Sequence, residues 1–474
     1  MRLKIPFVGP AYQARSLNVD AQRAVNCYLE TDATSNRAPV ALYGTPGMIL
    51  RATLGTSPVR ACINEGGYAW WVAGNTVYRM ASNYAVTTVG TITSSTGDIG
   101  IASNGTQIII VDGYGGWIVT VASATIAQIT DPDFPNGVTR AQFQDGFFIV
   151  AGDGSDKFYI NEVTYTGTQW NGLDFDSAAG SPDVTIGLIS DHRELWLFGS
   201  DSAEIFVYTG NADFPFERSG NTFLEAGCAS GATVAKADNT VFWLGTDDRG
   251  VGIVWRANGY TPERISNHAL EKAIQGYSIN QAKAFTYQQE GHLFYVLNFP
   301  EATWVHDVST REWHERAWMD PGTGNLSRWR ADCHVVFNNV HLVGDYQSGK
   351  VYQLDLDTYT DDGNLIKRIR TTTSTEQQQL RVFWSSLQVD METGVGLSTG
   401  QGSDPLLMLR FSDDGGHTWS NLRTGSVGKI GEYGRRVKFN RLGAGRNRVY
   451  EISMTDPVKF AVLGAVAEAE AGTS

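Results

Sequence analysis

The chain has 474 residues, room for about three ordinary domains or for one large repeat assembly with a smaller companion. Charged residues are 18% of it and glycine numbers 52, against ~25% charged and ~7% glycine in average domains, which excludes coiled coil and disorder and favours turn-rich β structure. The net charge of −13 is unevenly placed, at −16 over residues 1–363 and +3 over 364–474, so the larger acidic part is a poor binder of phosphate backbones.

In chain order, MRLKIPFVGPAYQ has no apolar core of a secretory signal, and no later apolar run approaches the ~18 residues of a membrane helix, so no membrane insertion is expected. Residues 1–50 read as a polar, extended arm that packs on a neighbour or completes a platform built by the other end of the chain. The cysteines Cys27, Cys62, Cys228 and Cys333 are widely separated with no CxxC pair, and read as free thiols of a protein folded in a reducing compartment.

From residue 51 a pattern recurs: an apolar or aromatic strand, a turn rich in Gly, Asp or Asn, then a strand rich in Tyr, Trp or Val. Seven copies begin at Gly66, Gly105, Asp145, Arg193, Asn239, Gly291 and Asn339. With Val72, Ile109, Phe148, Leu197, Trp243, Tyr295 and Leu342 as anchors, the steps are 37, 39, 49, 46, 52 and 47 residues. Those steps bracket the ~40–50 residues of one four-stranded propeller blade. A lone hairpin buries neither face, and stacking such units around an axis leaves few open edges. The fold expected is all-β: a propeller of six to eight blades over 51–363, with seven hairpin repeats counted, and a second antiparallel β-rich sandwich or platform over 364–474.

Asp307 followed by Thr310, and Asp355 followed by Thr358, fit tight turns in which an Asp side chain accepts backbone donors. Asp355, Asp357, Asp361 and Asp362 lack the spacing of a calcium loop. One helix is expected, NHALEKAIQGYS from Asn267, with Asn267 as its cap, inserted between blades.

In the C-terminal part, SDDGGHTW carries the Asp-box pattern at Ser412, Asp414, Gly416, Thr418 and Trp419. The box resembles those of sialidases and other propellers, where it is a hairpin turn. Asp414 is expected to accept turn N–H groups, Gly416 to take positive φ and Trp419 to pack beneath. Arg435, Arg436, Lys438, Arg441, Arg446 and Arg448 form a basic run without an acid. On a strand Arg436 and Lys438 point away from a core that Val437 and Phe439 face, and the run reads as a solvated face or internal partner for acidic side chains, or as a stripe that docks on an acidic neighbouring subunit. The eight histidines match no metal box, and GDGSD and GYGG precede no helix as phosphate cradles require, so neither metal nor other cofactor is expected.

The segments SLNVDAQRAVNCYLE and VALYGTPGM at one end, with LQVDMETGVG, LLMLRFSDDGGHTWS, GKIGEYGRRVKFNRLG and NRVYEISMTDPVKF at the other, resemble tail proteins of short-tailed bacteriophages. The group they resemble is the packaged-DNA stabilisation, or tail-hub (nozzle), family. That resemblance implies a structural, non-enzymatic virion tail protein assembled in the host cytoplasm, forming a six-fold ring of identical subunits. The ring closes the DNA exit channel and conducts the genome at ejection, with double-stranded DNA passing through without specific binding. Its implied partners are the portal–adaptor ring and other tail proteins such as a needle, tailspikes or fibres. Two rival readings of the residues are a carbohydrate-binding propeller that stacks sugars on Trp and Tyr, and a sialidase-like glycosidase, which needs an arginine cluster and a tyrosine nucleophile.

Overall fold

The computed structural model describes residues 1–472 except 18, 19, 33, 35–37, 221, 248 and 379. Its short strands pair in sequence as antiparallel four-stranded sheets. Five of these stand alone, at 59–91, 100–128, 140–177, 185–218 and 235–264. A sixth, 283–319, is continuous with further strands, and the seventh combines 331–355 with the strand Gly47–Thr53. Inner strands of successive sheets touch in order, with blades 4 and 5 meeting through the short turn Gly231–Thr233, and the last returns to the first, so the seven sheets are the blades of one closed propeller. All seven repeat anchors lie on the second strand of a blade and are at most 1% exposed. They pack in clusters shared between adjacent blades, such as Trp70, Val72, Ile108 and Ile110 between blades 1 and 2. Each blade thereby buries the apolar face that its neighbour also needs buried.

The strand Gly47–Thr53 spans the boundary expected at residue 50. It pairs antiparallel with Lys350–Asp355 as the outer strand of blade 7. Blade 7 thus joins strands some 300 residues apart in the chain, so both ends of the propeller segment hold the ring shut.

The helix His268–Ile274 lies between blades 5 and 6, and the Asn267 side chain accepts the Leu270 N–H at 2.9 Å as its cap. No described helix is long and apolar enough to cross a membrane.

The second unit is a sandwich of two sheets. One contains Cys27–Thr31, Val40–Gly44, Ala461–Ala471, Val382–Met391 and Val437–Asn440 in that order, with Arg2–Lys4 also pairing to Ala461–Ala471. The other carries Arg368–Thr371, Asn447–Met454, Leu406–Ser412 and Arg423–Ser426. N-terminal residues therefore supply three strands of the first sheet. The core between the sheets includes Phe7, Trp384, Leu409, Tyr450 and Phe460.

The second sheet does not stop at the sandwich. The two-residue strand Ala24–Val25 pairs with Ile369 and Arg370 on one side and, in parallel, with Glu315 of blade 6 on the other. A single hydrogen-bonded sheet consequently runs from blade 6 into the sandwich.

Candidate functional site

Three places hold concentrated polar chemistry: the propeller axis, the joint between propeller and sandwich, and the far part of the sandwich.

At the axis, the first residues of the inner strands carry charge. Arg140 donates to Asp98 at 2.8 Å, and Lys283 of blade 6 lies 3.6 Å from Asp98 and 3.4 Å from Asp332 of blade 7. Arg328 also pairs with Asp332. The chain Arg140–Asp98–Lys283–Asp332–Arg328 thus alternates in sign as it crosses from blade 3 to blade 7. The Asp98 carboxyl is desolvated, yet Arg140 and Lys283 outweigh that and hold it below the usual carboxylate range. Arg60 is committed elsewhere, donating to the carbonyls of Gly74, Ser94, Thr96 and Gly97. Two cavities, of ≈ 250 Å³ and ≈ 690 Å³, share Arg60, Asp98, Lys283 and Asp332 in their linings. The ion pairs between these cavities, at 2.8 to 3.6 Å, leave no passage for a duplex between the side chains that cross the axis.

Repeat anchors on the second strands pass over these axial charges. Aligned on inner strands, Arg60, Arg140, Lys283 and Asp332 all fall on the first or second strand position. The guanidiniums of Arg60 and Arg140 are occupied by carbonyls and by Asp98, which leaves neither to grip a substrate carboxylate as a sialidase requires.

The joint is a buried polar seam. Asn26 sits at φ 53°; its amide donates to the carbonyls of Ala317 and Lys367, and its oxygen accepts the Ala317 N–H at 2.9 Å. Arg23 forms a bidentate pair with Glu315 at 2.7 Å. Arg370, fully buried, donates to the carbonyls of Phe7, Gly9 and Pro10 and to Gln22. His292 of blade 6 bridges Asp307 at 2.7 Å and Glu30 of the sandwich sheet at 2.9 Å. Burial opposes its charge, but hydrogen bonds to the two carboxylates prevail and raise its pKa to about 9. His306 and His314 are instead held neutral by burial, pushed down to about 4 and about 3.

In the sandwich, Ser412–Trp419 is a tight turn leaving the strand Leu406–Ser412. Asp414 accepts the Thr418 N–H at 2.8 Å and the Thr418 hydroxyl, the Ser412 hydroxyl accepts the Gly416 N–H, and Gly416 takes φ +99°. The Ser412 hydroxyl also donates to Asp414 at 2.6 Å, and this bond first, with those from Thr418, holds the Asp414 carboxyl well below its usual range. The Trp419 ring lies under the Arg410 guanidinium, 4.6 Å away.

The basic run is not one continuous stripe: Arg448 and Lys438 are partners of acids within the chain, which corrects the single surface stripe. Arg448 is buried, gripping Asp413 at 2.6 and 2.7 Å and donating to the Leu442 carbonyl, because its strand position faces the sandwich core beside Phe411. Lys438 pairs with Glu468 on its own sheet. Arg441 occupies a turn at φ 57°, and Arg446 is exposed beyond it. Arg435 and Arg436 project at the end of an exposed loop while Val437 and Phe439 face inward.

Asp307 and Asp355 hold the expected turns, accepting from Ser309 and Thr310, and from Asp357 and Thr358. Burial raises the Asp361 carboxyl to about 7, a poor state for a calcium ligand. Among the described residues no group of three or more His, Cys, Asp or Glu is placed to hold a metal. All four cysteines are free thiols, Cys27 and Cys228 buried and Cys62 and Cys333 half-buried. None of the 13 Trp is exposed, so of the flat side chains that a sugar-binding reading called for, the exposed ones are tyrosines such as Tyr114, Tyr165 and Tyr433.

Family models match the chain over nearly its whole length. The model described as bacteriophage P22 Gp10, β-propeller, matches residues 3–359, and that described as bacteriophage P22 Gp10, β-sandwich, matches residues 367–470. No curated protein matches significantly. Among solved structures, the N-terminal domain of Nup159 aligns at 8% identity and TM-score 0.42 over 70% of this chain and 98% of that one. The Neurospora crassa Pan2 WD40 domain aligns at 9% and 0.43, over 68% and 96%. The extracellular domain of BT4673 from B. thetaiotaomicron aligns at 10% and 0.45, over 89% and 59%.

Proposed function

Because the chain belongs to the bacteriophage P22 Gp10 family of structural phage proteins, we propose that it is the tail hub of a short-tailed phage. In this reading six copies form a ring beneath the portal and adaptor, close the DNA exit after packaging and conduct the genome at ejection. The ring acts by packing and interlocking, without turnover. Needle, tailspikes or fibres attach to it, and it joins the virion in the host cytoplasm.

The observation that carries this reading is the filled propeller axis. A conduit through an axis crossed by Arg140, Asp98, Lys283 and Asp332 has no room for DNA, so the duplex passes between subunits, along the symmetry axis of the ring. The continuous sheet from blade 6 into the sandwich supports it further, because a hub under the pressure of packaged DNA needs its two domains to move as one body. The excess of acid over base in residues 1–363 suits a conduit wall, since repulsion keeps phosphate from adhering. Particles that lack the protein are expected to package DNA and then lose it; lacking particles that keep their genome and infect normally would refute the assignment.

A further inference from the structure

Two exposed apolar features stand out, one on blade 3 and one on the sandwich. In blade 3 the outer strand Trp170–Ser177 is irregular: Tyr159 pairs with Phe175 and Asn161 with Trp170, so residues 171–174 bulge outward opposite Ile160. Leu173, at that bulge, is 81% exposed, and on the neighbouring loop Tyr165 is 61% and Val163 41% exposed. Acids frame this patch. Glu162 raises the pKa of Asp174, a partial desolvation adding to the effect as its larger cause, and Asp133 abuts Gly172.

On the sandwich, residues 429–436 are all exposed. This loop links Arg423–Ser426 to Val437–Asn440, the last strands of the two sandwich sheets and those furthest in sheet order from blade 6. Ile430 is 66% and Tyr433 77% exposed. The loop is held in shape: Gly431 N–H donates to the Gly394 carbonyl, the Thr393 hydroxyl to the Tyr433 carbonyl, and Lys429 N–H to Glu432. Lys429, Arg435 and Arg436 share this loop with the two apolar side chains and outnumber its one acid, Glu432, and among the described residues neither arginine side chain makes an ion pair.

Blade 3 is three blades from blade 6 in one direction around the ring of seven and four in the other, so it stands across the propeller from the sandwich. A knob that is basic and apolar, and a patch that is acidic and apolar, therefore sit at the two ends of one rigid body. Such a pair is what a head-to-tail contact between identical chains requires, because each copy offers both halves, and the series closes into a ring where the rotation between copies divides a full turn. Opposite charge around an apolar centre also fits the usual layout of an interface, with a polar rim that selects the partner.

Resting on the ring reading above, we propose that the sandwich loop bearing Ile430 and Tyr433 docks on the blade 3 patch of Leu173, Tyr165 and Val163 in the next copy of this chain, with Arg435 and Arg436 facing Glu162 and Asp174. The test uses tails assembled from full-length chains carrying Tyr433→Cys, Leu173→Cys or both, treated with a short bismaleimide, with the parental chain as background. The double variant is expected to give a ladder of covalent oligomers up to the closed ring, and each single variant none. Cross-linked dimers from Tyr433→Cys alone would overturn the proposal in favour of a two-fold contact. Intact rings in micrographs without any ladder would overturn this pairing and leave the ring reading standing. Absence of rings from parental tails would overturn the ring reading, and this pairing with it.

Discussion

Arg448 and Arg436 lie twelve positions apart in one basic run, yet the structure gives them opposite energetic roles. Arg448 is fully buried, with two short bonds to Asp413, one to the Leu442 carbonyl, and its guanidinium 4.0 Å from the centre of the Phe411 ring. Truncating one partner of a buried pair costs ~3–5 kcal/mol, because the remaining charge and carbonyl stay desolvated. Asp413 is 37% exposed and regains some water, which places Arg448→Ala near the lower end, at about 3 kcal/mol. For a unit of this size ~1 kcal/mol shifts the melting temperature by ~2–4 °C, so the sandwich transition is expected to fall by roughly 6–12 °C. Arg436→Ala, at an exposed loop, is expected to stay within ~0.5 kcal/mol of the parent. Scanning calorimetry of the two variants side by side reads the difference. Equal shifts would refute the assignment of Arg448 to the core and restore a single surface stripe.

Three other outcomes follow from named contacts. His306, His314 and His334 are held neutral by burial, at about 4, 3 and 3 against the usual 6.5, so the unfolded chain takes up protons that the native one refuses. Their stability is present above pH 6.5 and is lost as pH falls toward 4, on the order of 2 kcal/mol each by pH 5, which acid titration of the unfolding midpoint detects. His292 behaves oppositely: its bridge to Asp307 and Glu30 is complete below pH 6.5 and weakens as pH rises through about 9, and His292→Gln is expected to flatten that alkaline limb. Lys283→Ala leaves Asp98 and Asp332 facing each other across the axis and is expected to lower stability by ~1–3 kcal/mol in urea titration; an unchanged midpoint would contradict the axial network. A chain beginning at residue 55 lacks the outer strand of blade 7 and three sandwich strands, and is expected to aggregate; a monodisperse monomer on gel filtration would contradict strand closure.

The repeat was legible because each blade must bury a second strand, and burial selects apolar residues at Val72, Ile109 and their equivalents whatever the turns between them do. The helix cap at Asn267 and the turns at Asp307, Asp355 and Asp414 were legible for a related reason: their partners lie within a few residues. Long-range pairing was not. Ala461–Ala471, at eleven residues, reads AVLGAVAEAEA, which has helix-forming alanine and glutamate in place of β-branched residues; its strand state comes from Val382–Met391 on one side and Val40–Gly44 on the other. The strand Gly47–Thr53 and the seam at Ala24–Val25 depend likewise on partners hundreds of residues away. The basic run misled because charge composition carries no sign of which side of a strand faces the core, and Asp413, the partner that buries Arg448, comes from another strand end.

The filled axis yields the most direct test. Electron cryomicroscopy of tails at a resolution that separates the blades is expected to show a ring of these chains around an opening lined by several subunits, with DNA density along that opening and each propeller centre closed. DNA density running through the centre of a propeller, with Lys283 and Asp98 parted, would contradict it.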